Sequence, residues 1–256
     1  MRSGEEVRGS AFNDTILGGS IGETISGEAG NDSLDGGAGI DTAYYGLLQQ
    51  SVVINLATAS GSAVSAESGT DVLLNFENAV GGSGNDTLIG GEGDDSLIGG
   101  AGNDTYSVYH SGDRVIEATN AGTDRIDAYA NHTLRAGSSV ELIYAMGSAG
   151  RSLTGNSLAN QFFSNAARAD TLTGGSGNDI YHLRHTGDRV IERAGGGTDV
   201  IYSSVHYTLA TAEAVEEVRA ATGVGLRLTG NGFSQNLHGG TGRAQAAQQP
   251  VGQHLV

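Results

Sequence analysis

Cysteine is absent from the 256-residue chain. Neither disulfides nor thiolate metal sites can therefore hold the fold, although the compartment is not fixed by that alone. Proline occurs once, at Pro250, tryptophan not at all, and only 5% of residues are aromatic. So little bulky apolar surface argues against a compact globule or a barrel. An extended repeat, in which each unit leans on the next, suits it better. No run of 18 apolar residues exists, so no helix of this chain spans a membrane. Basic residues are scarce, 13 against 29 acidic ones, for a formal net charge of −16. That disfavours nucleic acid and anionic membrane surfaces, since binding phosphates relies on Lys and Arg. Excess carboxylate fits a very soluble surface or a hard cation.

Glycine is abundant, with 43 residues, and it is periodic. Residues 81 to 107 read GGSGNDTLI, GGEGDDSLI, GGAGNDTYS; residues 9 to 44 read GSAFNDTIL, GGSIGETIS, GEAGNDSLD, GGAGIDTAY; residues 174 to 182 read GGSGNDIYH. The common form is G-G-x-G-x-D-x-U-x, with U a large apolar residue. Asp41 and Asp86 are 45 residues apart, five nines, so the register carries across the gap. A longer period of 75 residues overlies this one: GDRVIE recurs at 112–117 and 187–192, GTD at 122–124 and 197–199, LTGN at 153–156 and 228–231. The surplus over eight nines lies between Asp113 and Asp124 and between Asn160 and Asp170. The intervening segments read as decorated coils with small bulges.

A strand alternates faces, so in x-U-x only U points inward. Ile16, Ile25, Leu34, Leu88, Leu97, Tyr106, Val115, Leu172, Tyr181 and Val190 form a thin core on this reading. The other six residues must reverse the chain tightly, and glycine supplies φ > 0 and close backbone approach. Two nines make one flattened coil, and residues 18 apart stack at the roughly 4.8 Å of neighbouring strands. That places Asp86 above Asp104, Asp95 above Asp113, Asp14 above Asp32, and Asp170 above Asp188.

Carboxylates about 5 Å apart repel by something like 3 kcal/mol at an effective dielectric near 20. Calcium reverses the sign: it takes six to eight oxygens at about 2.3–2.6 Å, so one ion touches two stacked aspartates while turn carbonyls complete its shell. Magnesium wants a smaller octahedron and keeps its waters. Zinc and copper prefer His or Cys ligands that the motif lacks.

The run GGSGNDTLIGGEGDDSLIGGAGND resembles the repeats-in-toxin (RTX) family, also called hemolysin-type calcium-binding repeats. The spacers VINLATAS to GTDVLLNFENAV, and GDRVIE through GTDRI to LTGN, are similar to those of the family. The resemblance spans residues 9 to about 242. It implies an all-β fold, a parallel β-roll, in several roll segments joined by decorated spacer coils, with several Ca2+ ions between turns.

Residue by residue, it implies calcium ligation by Asp14, Asp32, Asp41, Asp86, Asp95, Asp104 and Asp179. Asp113, Asp170 and Asp188 keep the spacing but follow degenerate turns. Carbonyls of Gly82, Gly84, Gly91, Gly93, Gly100, Gly102, Gly175 and Gly177 are further candidate ligands. Glu23 stands where Asp belongs, Asn160 and Gln235 occupy that position without charge, and Ala244 removes the ligand.

The expected organisation is an N-terminal stub at 1–8, rolls at 9–45, 81–116 and 153–191, spacers at 46–80, 117–152 and 192–227, a degenerate repeat at 228–242 and a tail at 243–256. The expected function is non-catalytic calcium binding, the chain folding outside a bacterial cell. The alternatives are the calcium-binding part of a larger secreted protease, lipase or toxin, or a calcium-dependent surface or adhesion module. MRSGEEVRGSAFND has no apolar h-region, which leaves a cytosolic chain, export without an N-terminal signal, or a fragment of something longer; the start in mid-repeat supports a missing upstream portion. Type I secretion machinery, self-association and a cell-surface ligand are the candidate partners besides calcium. The tail RAQAAQQPVGQHLV reads as a secretion signal, a truncation or a shifted frame.

Three other motifs have bland readings. Gly18-Gly19-Ser20-Ile21-Gly22 fits a nucleophile elbow by glycine abundance alone. His182 and His185 form H-x-x-H without a third ligand. Asn13, Asn31, Asn85 and Asn103 satisfy N-x-[ST] as by-products of the N-D-T/S repeat. Residues 210–221 have helical composition, yet their partner 75 residues earlier does not, which favours strand or loop.

Overall fold

The computed structural model describes residues 4–56, 61–221 and 225–239, with a further backbone strand at 245–247. The chain divides into two compact units, Met1–Ala130 with Ser138–Val140, and Asn131–Gly137 with Glu141–Val256. Among the described residues there is no helix.

The first unit holds β1 (Glu5–Arg8), β2 (Thr15–Leu17), β3 (Glu23–Ser26), β4 (Ser33–Asp35), β5 (Thr42–Tyr44), β6 (Val52–Asn55) and β7 (Gly61–Ser65). It continues with β8 (Gly69–Leu74), β9 (Asn78–Val80), β10 (Thr87–Ile89), β11 (Ser96–Ile98), β12 (Thr105–Val108), β13 (Arg114–Ile116) and β14 (Arg125–Ala128). One wall runs β1-β3-β5-β9-β11-β13, the other β2-β4-β8-β7-β6-β10-β12-β14. The 18-residue coil is explicit in the parallel registers: Ile16 sits beside Leu34, Leu88 beside Tyr106, and Leu97 beside Val115.

The second unit holds β15 (His132–Thr133), β16 (Leu142–Ala145), β17 (Ser152–Thr154), β18 (Gln161–Phe163), β19 (Thr171–Thr173), β20 (Ile180–Leu183) and β21 (Arg189–Ile191). It ends with β22 (Val200–Ser203), β23 (Tyr207–Thr208), β24 (Glu217–Ala220), β25 (Arg227–Thr229), β26 (Asn236–His238) and β27 (Gln245–Ala247). Here β16-β18-β20-β22-β24-β26 face β15-β17-β19-β21 and β23-β25-β27, and these strands pair in parallel. The fold is the parallel β-solenoid that the nonapeptides imply.

Each strand is short because one inward residue suffices per wall per coil. Ile25, Leu34, Leu88, Leu97, Tyr106, Val115, Leu172, Tyr181 and Val190 are buried to 1% exposure or less. Each such side chain contributes roughly 1.5–3 kcal/mol of burial. Ile16 is only half-buried, since β2 ends its wall and has one neighbour. Phe162 and Tyr181 stack inside the second unit with ring centroids 5.2 Å apart.

Two segments depart from the sequence reading. The spacer 46–80 is not a run of coils: β6, β7 and β8 form an antiparallel meander spliced into one wall. Its β8 continues from β4, and β6 leads into β10. Residues 5–8, set apart as a stub, form β1 and pair in register with β3. Residues 217–220 of the 210–221 segment form β24, as its partner favoured. Ala244 and the tail, apart from the β27 backbone, lie outside the described residues.

Candidate metal centre

The aspartates line both edges of each unit as ladders tied through the backbone. In Asp32, Asp41, Asp104, Asp113, Asp179 and Asp188, Oδ1 accepts the N–H of the equivalent residue one coil earlier. Asp14 N donates to Asp32 at 2.9 Å, Glu23 N to Asp41 at 2.7 Å, Asp86 N to Asp104 at 2.7 Å and Asp95 N to Asp113 at 3.1 Å. In the second unit Asn160 N donates to Asp179 at 2.7 Å and Asp170 N to Asp188 at 2.9 Å. The preceding Asn works in the opposite sense. Asn13, Asn85 and Asn178 Oδ1 accept N–H groups from the next coil at 2.8–2.9 Å. The N-D dipeptide therefore clamps the coils on both sides, which accounts for the N-x-[ST] matches.

The second carboxylate oxygen sorts the aspartates. In Asp14, Asp86 and Asp95 it accepts a turn N–H, from Ser10 and Gly82 at 2.6 Å and from Gly91. In Asp113 it takes two, from Tyr109 and His110, both at 3.0 Å. Asp188 takes Arg184 and His185 N–H and the Ser164 hydroxyl, and Asp170 takes Asn165 N–H. In Asp32, Asp41, Asp104 and Asp179 that oxygen is buried and has no hydrogen-bond partner. Glu23 grips its turn through Gly19 N–H at 3.1 Å, and the neutral Asn160 does the same through Asn156 N–H at 3.1 Å.

The glycines make room for these oxygens. A Cβ on Gly27, Gly81, Gly99 or Gly174 would overlap Oδ2 of Asp32, Asp86, Asp104 or Asp179 respectively. Gly93, Gly100, Gly102, Gly175 and Gly177 hold φ between 107° and 125°, which other residues rarely adopt. Gly82 and Gly91 lack positive φ but face Leu48 and Leu56 carbonyls, and Gly84 faces the Ser51 amide. The Gly82 carbonyl already accepts from Ala101 N–H at 3.0 Å.

Burial of this many carboxylates without a counter-ion raises their proton affinity. Asp95, Asp104 and Asp179 are pushed up to about 6, desolvation being the leading cause in each. Asp41, Asp86, Asp113 and Asp170 are raised for the same first reason.

The RTX calcium-binding nonapeptide repeat family matches in four copies, over residues 4–20, 8–43, 77–107 and 166–183. The chain thus carries RTX calcium-binding repeats in both of its units. No curated protein matches it significantly. Calcium fits the RTX turns on the observations above: the donor set is oxygen only, and the orphaned oxygens of Asp32, Asp41, Asp104 and Asp179 lack the positive partner that a buried charge requires. Those residues would hold it, with turn carbonyls as further ligands.

Four acidic residues outside the sequence-derived set join this system. Asp104, Glu117 and Asp124 bring carboxylate oxygens within 4.8 Å of one another, and Asp179, Glu192 and Asp199 do the same. Glu117 and Glu192 are pushed up to about 7, chiefly by burial. The signal was the repeated GDRVIE and GTD at a fixed offset of 75, but the glutamates replace a motif glycine and GTD falls outside the nonapeptide frame. Asp71, Glu77 and Glu216 also take ladder places, accepting from Asp32, Asp41 and Asp199 N–H at 2.8–2.9 Å.

The remaining motifs serve structure. His182 is stacked between Phe163 and Tyr202, at 4.4 and 5.3 Å, while His185 Nδ1 accepts the Gly187 N–H. The Gly18–Gly22 turn leads into β3, not a helix, so it makes no nucleophile elbow.

Proposed function

We propose that this chain is a calcium-folded module with no catalytic role of its own. The observation carrying this reading is the set of buried, partnerless carboxylate oxygens on stacked turns, at Asp32, Asp41, Asp104 and Asp179. At neutral pH such a ladder is self-repelling, and glycine-rich turns are entropically costly to order. Calcium bound only by the folded state offsets both, so folding and binding are one event.

The family resemblance supports the setting. Such a chain stays unfolded where calcium is scarce, passes through type I secretion machinery, and folds outside a bacterial cell. The ten repeat aspartates from Asp14 to Asp188 ligate or brace, the glycine turns give carbonyls, and the inward residues fill the core. Far-UV circular dichroism during a calcium titration tests this, with magnesium and chelator as controls. A disordered spectrum turning β-rich only with calcium, and reverting on chelation, is expected. A spectrum already β-rich at pH 7.5 in chelator, and unmoved by calcium, would sink it.

A further inference from the structure

The two acidic triads differ in kind from the nonapeptide turns. Asp104, Glu117 and Asp124 are each at most 4% exposed, and Asp179, Glu192 and Asp199 at most 2%. The glutamates stand where the next nonapeptide would have its first glycine, directly after Val115-Ile116 and Val190-Ile191. That position faces the cluster: a Cβ on Gly99 meets Asp104 Oδ2 and Tyr106 Oη, and one on Gly174 meets Asp179 Oδ2 and Tyr181 Oη. After each glutamate the turn is longer. Glu117 precedes Asp124 by seven residues, whereas Gly99 precedes Asp104 by five. The two additional residues make room for a side chain where the repeat tolerates none.

A core tyrosine aims each glutamate. Tyr106 Oη donates to Glu117 and Tyr181 Oη to Glu192, both tyrosines being wholly buried. Tyr106 Oη in turn accepts the Gly99 N–H at 2.8 Å. Oxygens are left over inside the clusters: Asp104 Oδ2, Asp179 Oδ2, Asp199 Oδ2 and Glu192 Oε2 are buried without hydrogen-bond partners. Three carboxylates converging with lone pairs aimed inward make a hard-cation cage; zinc would call for nitrogen or sulfur donors.

We propose that each triad is a closed calcium site of its own, in which a glutamate outside the nonapeptide supplies a third carboxylate and ties the spacer to the roll. This rests on the calcium reading above and extends it to residues 117, 124, 192 and 199, which the four matched repeat copies do not include. Three charges on one ion make these the sites that release calcium last.

Because the chain has no tryptophan, terbium luminescence excited through tyrosine reports ions beside its nine tyrosines, Tyr106 and Tyr181 among them. The full chain, Glu117→Gln, Glu192→Gln and the double variant would be compared by terbium luminescence and by calcium stoichiometry in equilibrium dialysis. The expected result is loss of about one tightly held calcium per substitution, with sensitised luminescence cut by about a third or more in the double variant. The calcium-driven β signal should persist, carried by the intact turns. Unchanged stoichiometry and luminescence, with folding still calcium-driven, would overturn the inference and leave the glutamates as tyrosine acceptors. A wild-type chain that takes up no calcium would instead defeat the underlying reading. Should a Gln variant not fold, Tyr106→Phe with Tyr181→Phe decides. Luminescence should fall at unchanged calcium stoichiometry, and an undiminished signal per bound ion would contradict the site.

Discussion

The Asp86 backbone N–H donates to Oδ1 of Asp104, eighteen residues on, at 2.7 Å, while Oδ2 of Asp104 is buried without a partner. One oxygen sets the coil register and the other is left for a cation. The same side chain thus links fold and ion binding, and the two functions can be separated by substitution.

Asp104→Asn retains an oxygen that can accept the Asp86 N–H but loses the charge. Its calcium midpoint for folding should rise about tenfold, equivalent to about 1.4 kcal/mol. Asp104→Ala also strands the N–H, which costs about 1–3 kcal/mol more. Calcium titrations of the two variants by circular dichroism check both the direction and the order.

Acid should replace calcium in part. The folded-state values of about 6 for Asp95, Asp104 and Asp179, and about 7 for Glu117 and Glu192, lie above those of unfolded carboxylates. A group raised on folding binds protons preferentially in the folded state. Its contribution is therefore fully present below about pH 4 and lost as pH rises through about 6 to 7. In chelator, β content should grow as pH falls from 8 to 5, while calcium affinity weakens over the same window. Greater order at pH 8 than at pH 5 in chelator would contradict the assignment.

Glycine substitutions should separate strain from overlap. At Gly93, φ is 124° but a Cβ would meet nothing within 4 Å, so Gly93→Ala should cost about 1–3 kcal/mol through backbone strain alone. At Gly100, φ is 110° and the Cβ would also run into the Gly82 carbonyl, so Gly100→Ala should cost more. Thermal melts in saturating calcium rank them.

The thin core makes single inward residues matter. Leu97 is fully buried, so Leu97→Ala should cost 2–5 kcal/mol, on the order seen for buried leucines. Val53, 45% exposed on the outer face of β6, should tolerate Ala within about 0.5 kcal/mol. Paired melts in calcium decide whether the inward line is read correctly.

Where the period of nine holds, sequence and structure coincide residue by residue, because each coil repeats the one before and its register follows from chain length alone. Leu88 beside Tyr106 and Leu97 beside Val115 were legible for that reason. The meander β6-β7-β8 was not, since strands within it alternate like any others and 45 residues happens to be five nines. Glu117, Asp124, Glu192 and Asp199 were visible as a repeat but not as ligands. Glu117 and Glu192 fall where the motif has glycine, two-residue bulges shift Asp124 and Asp199 out of frame, and only the folded coil brings all four to Asp104 and Asp179. The sorting of aspartates by their second oxygen depends on turn geometry that spacing does not encode.

The most direct test is anomalous diffraction from crystals of the full chain grown in calcium, with data collected at long wavelength. Peaks are expected between stacked turns, at Asp86 with Asp104 and at Asp14 with Asp32, each within about 2.3–2.6 Å of carboxylate oxygens. An ordered roll with no such peaks in saturating calcium would contradict the calcium reading.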